Sequence, residues 1–405
     1  MLLTYVVYAI LIGLVIWGIK FPGFADKFND DFLDKNSTKA ISGLAAIFII
    51  LHHISQKPAF QDVTHELFFF NDLGYLICTI FFFFSGYGLT VSADNNENYL
   101  KTFFKKRFVT ILVPFFLCNL VFAIVQGISG MPLVRVLLGV FGLVNINPNG
   151  WFPFVLMYFY LIFYLVRKNI KNKNIHILIY VLATFVLVGI FAVNGHFAWW
   201  GDPKKGWWLI EGFDDKPWWM QQQVFWLSGE WWVNSGIGFG FGAFFATYKD
   251  KLVNWLKKFY WLKLAISAVA FGLSYKWFLG VRSEYQVWSE SWEMDPGIFN
   301  KFVTTSANEL ISLLFIVFFV VLLMKFRSEN PVTRFMGKIS FETYLYGYLW
   351  LEFNSFIVSH YDAPIIKQPF NYNLALYAFI VLAESILAGF IFNKLGNVII
   401  NKIKK

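Results

Sequence analysis

The sequence predicts an all-α fold: a polytopic integral membrane helix bundle with about 10–11 transmembrane helices. Three observations predict it. The chain is 58% hydrophobic and only 15% charged, with a mean hydropathy of +0.55, where a soluble domain carries nearer a quarter charged residues. Apolar runs close to the roughly 20 residues needed to cross a bilayer recur along its whole length. Finally, the cations are unevenly shared: 25 of the 34 Lys and Arg fall in alternate connecting segments, as the positive-inside rule requires of cytoplasmic loops. That bias puts the N-terminus outside and the C-terminus in the cytoplasm of a multi-pass cell-membrane protein. It also removes the net charge of +9 as an argument for nucleic acid.

Eleven runs read as spans. Thr4–Ile19 is the first; no basic region precedes it and no small-residue cleavage site follows, so it is expected to be retained. A polar stretch over residues 24–38 is expected at the interface. Ala40–Ser55 follows, then Phe68–Val91, interrupted by Asn71, Asp72 and the Ser85-Gly86 step. Phe108–Val125 carries Pro114, and the short Met131–Val144 reads as re-entrant or interfacial. The remaining spans are Trp151–Val166, Ile175–Val193, Trp232–Ala246, Tyr260–Leu279, Leu310–Met324, Ile339–Val358 and Tyr372–Phe392. Residues 1–30 form an N-terminal span and linker, 31–395 the membrane domain, and 396–405 a basic cytoplasmic tail. Cys78 and Cys118 sit in apolar runs without metal-ligand spacing, so they read as buried thiols with no metal and no disulfide.

The most informative stretch is Lys39–His53, KAISGLAAIFIILHH. It ends a near-continuous apolar run in two adjacent imidazoles, and ionisable groups at membrane depth are costly unless paired or facing water. At about 100° per residue His52 and His53 point to different sides. Lys39 lies on roughly the face of His53, about 21 Å away along the axis. Polar residues capping a span are the bland alternative.

Further motifs follow in order: SGYG at Ser85–Gly88, FFKKRFVTILVPFF at Phe103–Phe116, GWF at Gly150–Phe152, a glycine-rich span ending in FATYKD, and GKISFETYLYGY at Gly337–Tyr348. Together with SGLAAIFIILHH, they resemble acyltransferase family three, integral membrane enzymes that O-acylate carbohydrates outside the bacterial cytoplasm. The resemblance runs from about residue 30 to residue 395. It implies an Arg–(ten residues)–His motif in which His53 is the family histidine, with His52 as the alternative if the register slips by one. Ser42 stands at the family arginine, and Lys39, one turn earlier, is the cation that substitutes. A family Arg–x–x–Arg pair, implicated in binding the acyl donor, is half present: Arg107 matches and Thr110 replaces the second arginine, with Lys105 and Lys106 just before. A late family histidine is Gly347 here.

The chemistry points the same way. Acyl transfer from a thioester to a hydroxyl needs a base, and imidazole titrates near neutrality. The phosphates of coenzyme A need cations at the cytoplasmic face, where Lys101, Lys105, Lys106 and Arg107 cluster; ordinary topology accounts for the same cluster. Ser85-Gly86 serves either close helix packing or the donor thioester. Nine tryptophans lie between Asn194 and Trp232, among them Trp207, Trp208, Trp218 and Trp231, with Glu211 and Glu230 interleaved. They read as a saccharide platform mixed with an interfacial aromatic belt. The expected function is acyl, most simply acetyl, transfer from acyl-CoA as co-substrate, with no bound cofactor, to a carbohydrate acceptor in contact with membrane lipid; oligomeric state is open. A glycan or lipid-linked sugar transporter is the rival reading.

Overall fold

The computed structural model describes residues 2–56, 67–128, 133–143, 146–194, 233–285, 297–360 and 374–404. Its helices are α1 (Leu2–Ile16), α2 (Lys35–Ser55), α3 (Phe68–Asn71), α4 (Gly74–Asp94), α5 (Phe103–Ile128), α6 (Leu133–Val140) and α7 (Trp151–Asn169). They continue as α8 (Lys173–Asn194), α9 (Ile237–Thr247), α10 (Lys249–Lys257), α11 (Tyr260–Tyr285), α12 (Gly297–Leu323), α13 (Pro331–His360) and α14 (Leu374–Lys404). The one sheet among the described residues is a two-stranded antiparallel pair, β1 (Ile19–Lys20) with β2 (Arg327–Ser328). The fold is a polytopic helical bundle.

Eight described helical segments are long and apolar enough to cross a membrane. Three of the expected spans fall outside that set, each for a visible reason. Helices α1 and α9 are short, at 15 and 11 residues. Helix α13 has 30 residues, about 45 Å at 1.5 Å per residue, but Arg334, Lys338, Glu342 and Glu352 interrupt its apolar character. The expected break near Asn71 and Asp72 is the gap between α3 and α4. The segment expected to be short and re-entrant contains the eight-residue α6. The last helix runs without interruption to Lys404, so the basic residues after 395 continue it.

The chain forms two compact units, one of residues 1–77 with 322–403, the other of residues 78–321. In the first unit, α2 starts where Asp34 caps it: its carboxylate accepts from the Ser37 N–H at 2.7 Å, satisfying one of the orphan amides of the first turn. Ala40, Gly43, Ile47, Ile50 and Ile54 recur at helical spacing and are buried. Gly43 and Ile50 lie on the seam with α13. A Cβ on Gly43 would come within 2.5 Å of the Gly337 nitrogen and the Thr333 oxygen, and one on Gly337 would collide with the Lys39 carbonyl. Backbone therefore rests on backbone, which only small residues allow. Higher up the same parallel seam, Gly347 packs against Ile50. Helix α14 covers α13 from another side: Tyr346 stacks on Phe392 at 4.3 Å, and the Tyr377 hydroxyl donates to the Leu351 carbonyl at 3.0 Å.

In the same unit, Asn330 donates to the Leu14 and Trp17 carbonyls, each at 2.8 Å, and fixes the end of α1 to the start of α13. Arg327, with a side chain only 2% exposed, pairs with Glu329 at 2.7 Å and with Asp31. The guanidinium holds the Asp31 carboxyl below its ordinary range.

The second unit is aromatic at its centre. Phe159, Phe163, Tyr180 and Phe239 are all buried, with Phe159 stacked on Phe239 at 5.0 Å and Phe163 on Tyr180 at 6.0 Å. Cys78 and Cys118 are both buried, unbridged thiols.

Candidate active site

The two imidazoles at the end of α2 are held differently. His52 Nδ1 lies 2.9 Å from the Phe70 carbonyl. A carbonyl only accepts, so this bond requires the proton on Nδ1 and leaves Nε2 as the acceptor nitrogen. Phe70 is itself fixed: buried, edge-on to Phe48 at 5.6 Å and stacked on Tyr8 at 5.8 Å. The other side of the His52 ring rests on Gly74, where any Cβ would collide with Nε2. The first residue of α4 must lack a side chain for His52 to sit there.

His53 turns towards α13. Its ring meets that of Tyr348 edge-to-face at 5.3 Å, and the two imidazole centroids are 5.0 Å apart. The Tyr348 hydroxyl bonds to Glu352 one turn on. Tyr348 and Glu352 thus extend the histidine pair along α13. Glu352 is paired with a tyrosine, and Glu384 accepts from the Asn354 amide at 2.5 Å. The position of the late family histidine, Gly347, is taken up by contact with α2, since a Cβ there would lie 2.9 Å from Ile50 Cγ1.

Lys39 is on the same helix but not at the same place. It lies about 21 Å from His53 by helix rise, is exposed, and its electrostatic neighbours are Lys35 and Lys338. At that separation a unit charge changes the energy of another by about 0.2 kcal/mol in water, and by about 0.8 kcal/mol at an effective dielectric of 20. Direct stabilisation of a group at His53 is therefore weak.

The donor residues read from the sequence lie in the second unit, and two of them share a cluster. Arg107 Nε donates to the Tyr99 hydroxyl at 2.7 Å, with the guanidinium 5.5 Å from the centre of that ring. Tyr160 bonds to Ser85 and lies within electrostatic reach of Arg107. Lys105 and Lys106 are exposed on the same turn. Thr110 folds its hydroxyl back onto the Lys106 and Arg107 carbonyls, at 2.9 and 2.8 Å, so it contributes nothing in place of a second arginine. Gly86 of the Ser85-Gly86 step is a packing contact: a Cβ there would collide with the Phe239 carbonyl of α9. Tyr99 and Tyr160 have no counterpart in the sequence reading, because tyrosines in aromatic runs look like core. Trp207, Trp208, Glu211, Trp218, Glu230 and Trp231 lie outside the described residues.

A family model described as an acyltransferase domain matches residues 39–394, which takes in both histidines, the Arg107 cluster and α13. The chain belongs to acyltransferase family three. It is a membrane acyltransferase. Searches of curated proteins and of solved structures returned no match.

Proposed function

We propose that this acyltransferase moves an acyl group, acetyl in the simplest case, from a cytoplasmic acyl-CoA to a hydroxyl of an extracytoplasmic carbohydrate in the bacterial cell envelope, with His53 as general base. The observation that carries the reading is the imidazole pair at the end of α2, one ring fixed by a backbone carbonyl and the other facing Tyr348. In the reaction, the acceptor hydroxyl gives its proton to His53 as its oxygen attacks the thioester carbonyl. The carbon–sulfur bond breaks, the new ester forms, and the imidazolium returns the proton to the departing thiolate. His52, committed to the Phe70 carbonyl, is a positioning residue that holds the end of α2.

The donor is held by charge. Arg107, braced by Tyr99, and the exposed Lys105 and Lys106 contact its phosphates, and Ser85 lies beside them through Tyr160. Coenzyme A carries its phosphates and its thioester at opposite ends of a long arm. A cation well removed from the base, such as Lys39, therefore suits the phosphates better than the thioester. The tryptophan segment with Trp207, Trp208, Trp218, Trp231, Glu211 and Glu230 receives the acceptor from outside, which requires the N-terminus outside and the C-terminus in the cytoplasm.

Mass spectrometry of surface polysaccharide from cells with and without this chain tests the function: ester-linked acyl groups should be present only with it. Identical spectra, with labelled sugar crossing the membrane only when the chain is present, favour the transporter reading instead.

A further inference from the structure

Helix α12 carries a polar face that the acyl-transfer chemistry does not use. Lys301, Thr304, Thr305, Asn308, Glu309 and Ser312 recur at helical spacing, and each is at most 1% exposed. Four of these, Lys301 among them, have their partners. Glu309 accepts from the Gly236 and Ile237 amides at 3.1 and 2.9 Å, capping α9. Thr305 donates to the Lys301 carbonyl at 2.6 Å and Ser312 to the Asn234 carbonyl at 3.0 Å.

Asn308 and Thr304 are different. Both the Nδ2 and the Oδ1 of Asn308 are buried without a hydrogen-bond partner among the described residues, and so is the Thr304 hydroxyl one turn before it. The side-chain Oδ1 of Asn234 is a further orphan, although its backbone carbonyl is already tied to α12 by Ser312. A buried polar group left unmade costs about 1–3 kcal/mol. Two such residues on successive turns of a membrane-spanning helix, with a third tied to that helix through Ser312, are unusual, because buried polar side chains are nearly always satisfied.

The unmet capacity has a definite character. An amide offers two donors and an acceptor, a hydroxyl offers one donor and accepts, and the Asn234 oxygen accepts. A ligand that completes them must present donors and acceptors together at close spacing. Vicinal hydroxyls do this. A thioester or an acyl chain does not. We infer that Asn308, Thr304 and Asn234 form a binding site for the hydroxyl groups of a polyhydroxylated ligand. On the reading given under Proposed function, the site holds the acceptor carbohydrate, and α12 supplies its hydrogen bonds from inside the bundle.

The test uses the full-length protein in a detergent without a sugar headgroup, with thermal unfolding followed against a panel of neutral tetrasaccharides: cellotetraose, maltotetraose and chitotetraose. At least one should raise the wild-type midpoint. Asn308→Leu should abolish that rise or weaken the apparent affinity about tenfold or more, while its own midpoint without sugar stays at or above the wild-type value, because an orphan amide has been removed. Thr304→Val, a smaller change, should weaken binding in the same direction. Thr305→Val, whose hydroxyl is already bonded, should leave it unchanged. No shift with any sugar, or an equal shift in wild type and Asn308→Leu, overturns the site and leaves ordered water as the partner of these groups. An Asn308-dependent shift in a protein that never consumes acetyl-CoA upholds the site and refutes the acyl-transfer reading.

Discussion

Gly337→Ala should separate α2 from α13 and disable the enzyme without removing any polar group. The added Cβ would collide with the Lys39 carbonyl and lie 2.6 Å from its carbon. The reciprocal contact, a Cβ on Gly43 at 2.5 Å from the Gly337 nitrogen, falls 0.9 Å short of the 3.4 Å at which ordinary contact begins. The obstructing atoms are backbone on both sides, so no side chain can turn aside and the helices themselves must part by about an ångström. Overpacking of this kind costs about 1–3 kcal/mol. Because His53 meets Tyr348 along the same seam, the imidazole shifts with α2, and a 1 Å misplacement of a reacting group is worth about 100-fold in rate. Donor-dependent ester formation in isolated membranes, beside the thermal midpoint of the purified protein, gives both quantities. Gly88→Ala is the matched control, since a Cβ there meets nothing within 4 Å. Wild-type activity and midpoint in Gly337→Ala would refute the backbone seam.

Replacing Arg107 and Lys106 together by Gln should raise the apparent KM for acyl-CoA more than it lowers kcat, as a charge contact made equally in ground and transition states does; an unchanged KM in steady-state assays would reduce the cluster to a topology signal. Glu309→Ala strips the α9 amides of their acceptor and should cost about 2–4 kcal/mol, whereas Glu309→Gln keeps one acceptor and should recover part of the loss; equal midpoints for the two variants would contradict the capping role. The carboxyl of Asp31 is held below its ordinary value by Arg327, so this pairing stabilises the fold above about pH 4 and is lost as pH falls through the lowered folded-state value. Acid-unfolding curves should therefore be flatter in Asp31→Asn below that pH, and a wild-type slope in the variant would exclude the pair. A double Trp207→Ala, Trp208→Ala variant should weaken acceptor use several-fold, at about 0.5–1.5 kcal/mol per ring, and leave donor KM unchanged in the same kinetics.

Composition made the membrane class legible, and the apolar runs made most helices legible, because the bilayer imposes length and polarity directly on the chain. Legibility declined wherever one segment answers another far away. The glycines at 43 and 337 are visible separately, but nothing in either stretch says they touch. A backbone carbonyl has no sequence signature, so the bond from His52 to Phe70 was hidden, and with it the difference between two adjacent histidines. Helical periodicity sets Lys39 and His53 on roughly one face, yet separation along the axis, not facing, decides how strongly two charges interact. Ser85-Gly86 left packing and chemistry open, and only the Phe239 carbonyl decides for packing at Gly86. Asn308 and Thr304 lie just ahead of the expected span Leu310–Met324 and were not singled out, since a sequence records polar groups but not whether they are satisfied.

The central claim is tested most directly by comparing His53→Ala with His52→Ala in membranes at matched abundance, measuring acyl transfer from labelled acetyl-CoA to surface polysaccharide. With His53 as the base, His53→Ala should abolish transfer, while His52→Ala, which loses only the anchor on the Phe70 carbonyl, should retain part of it. Full activity in His53→Ala with none in His52→Ala would move the base by one residue, and full activity in both would contradict imidazole catalysis at the end of α2.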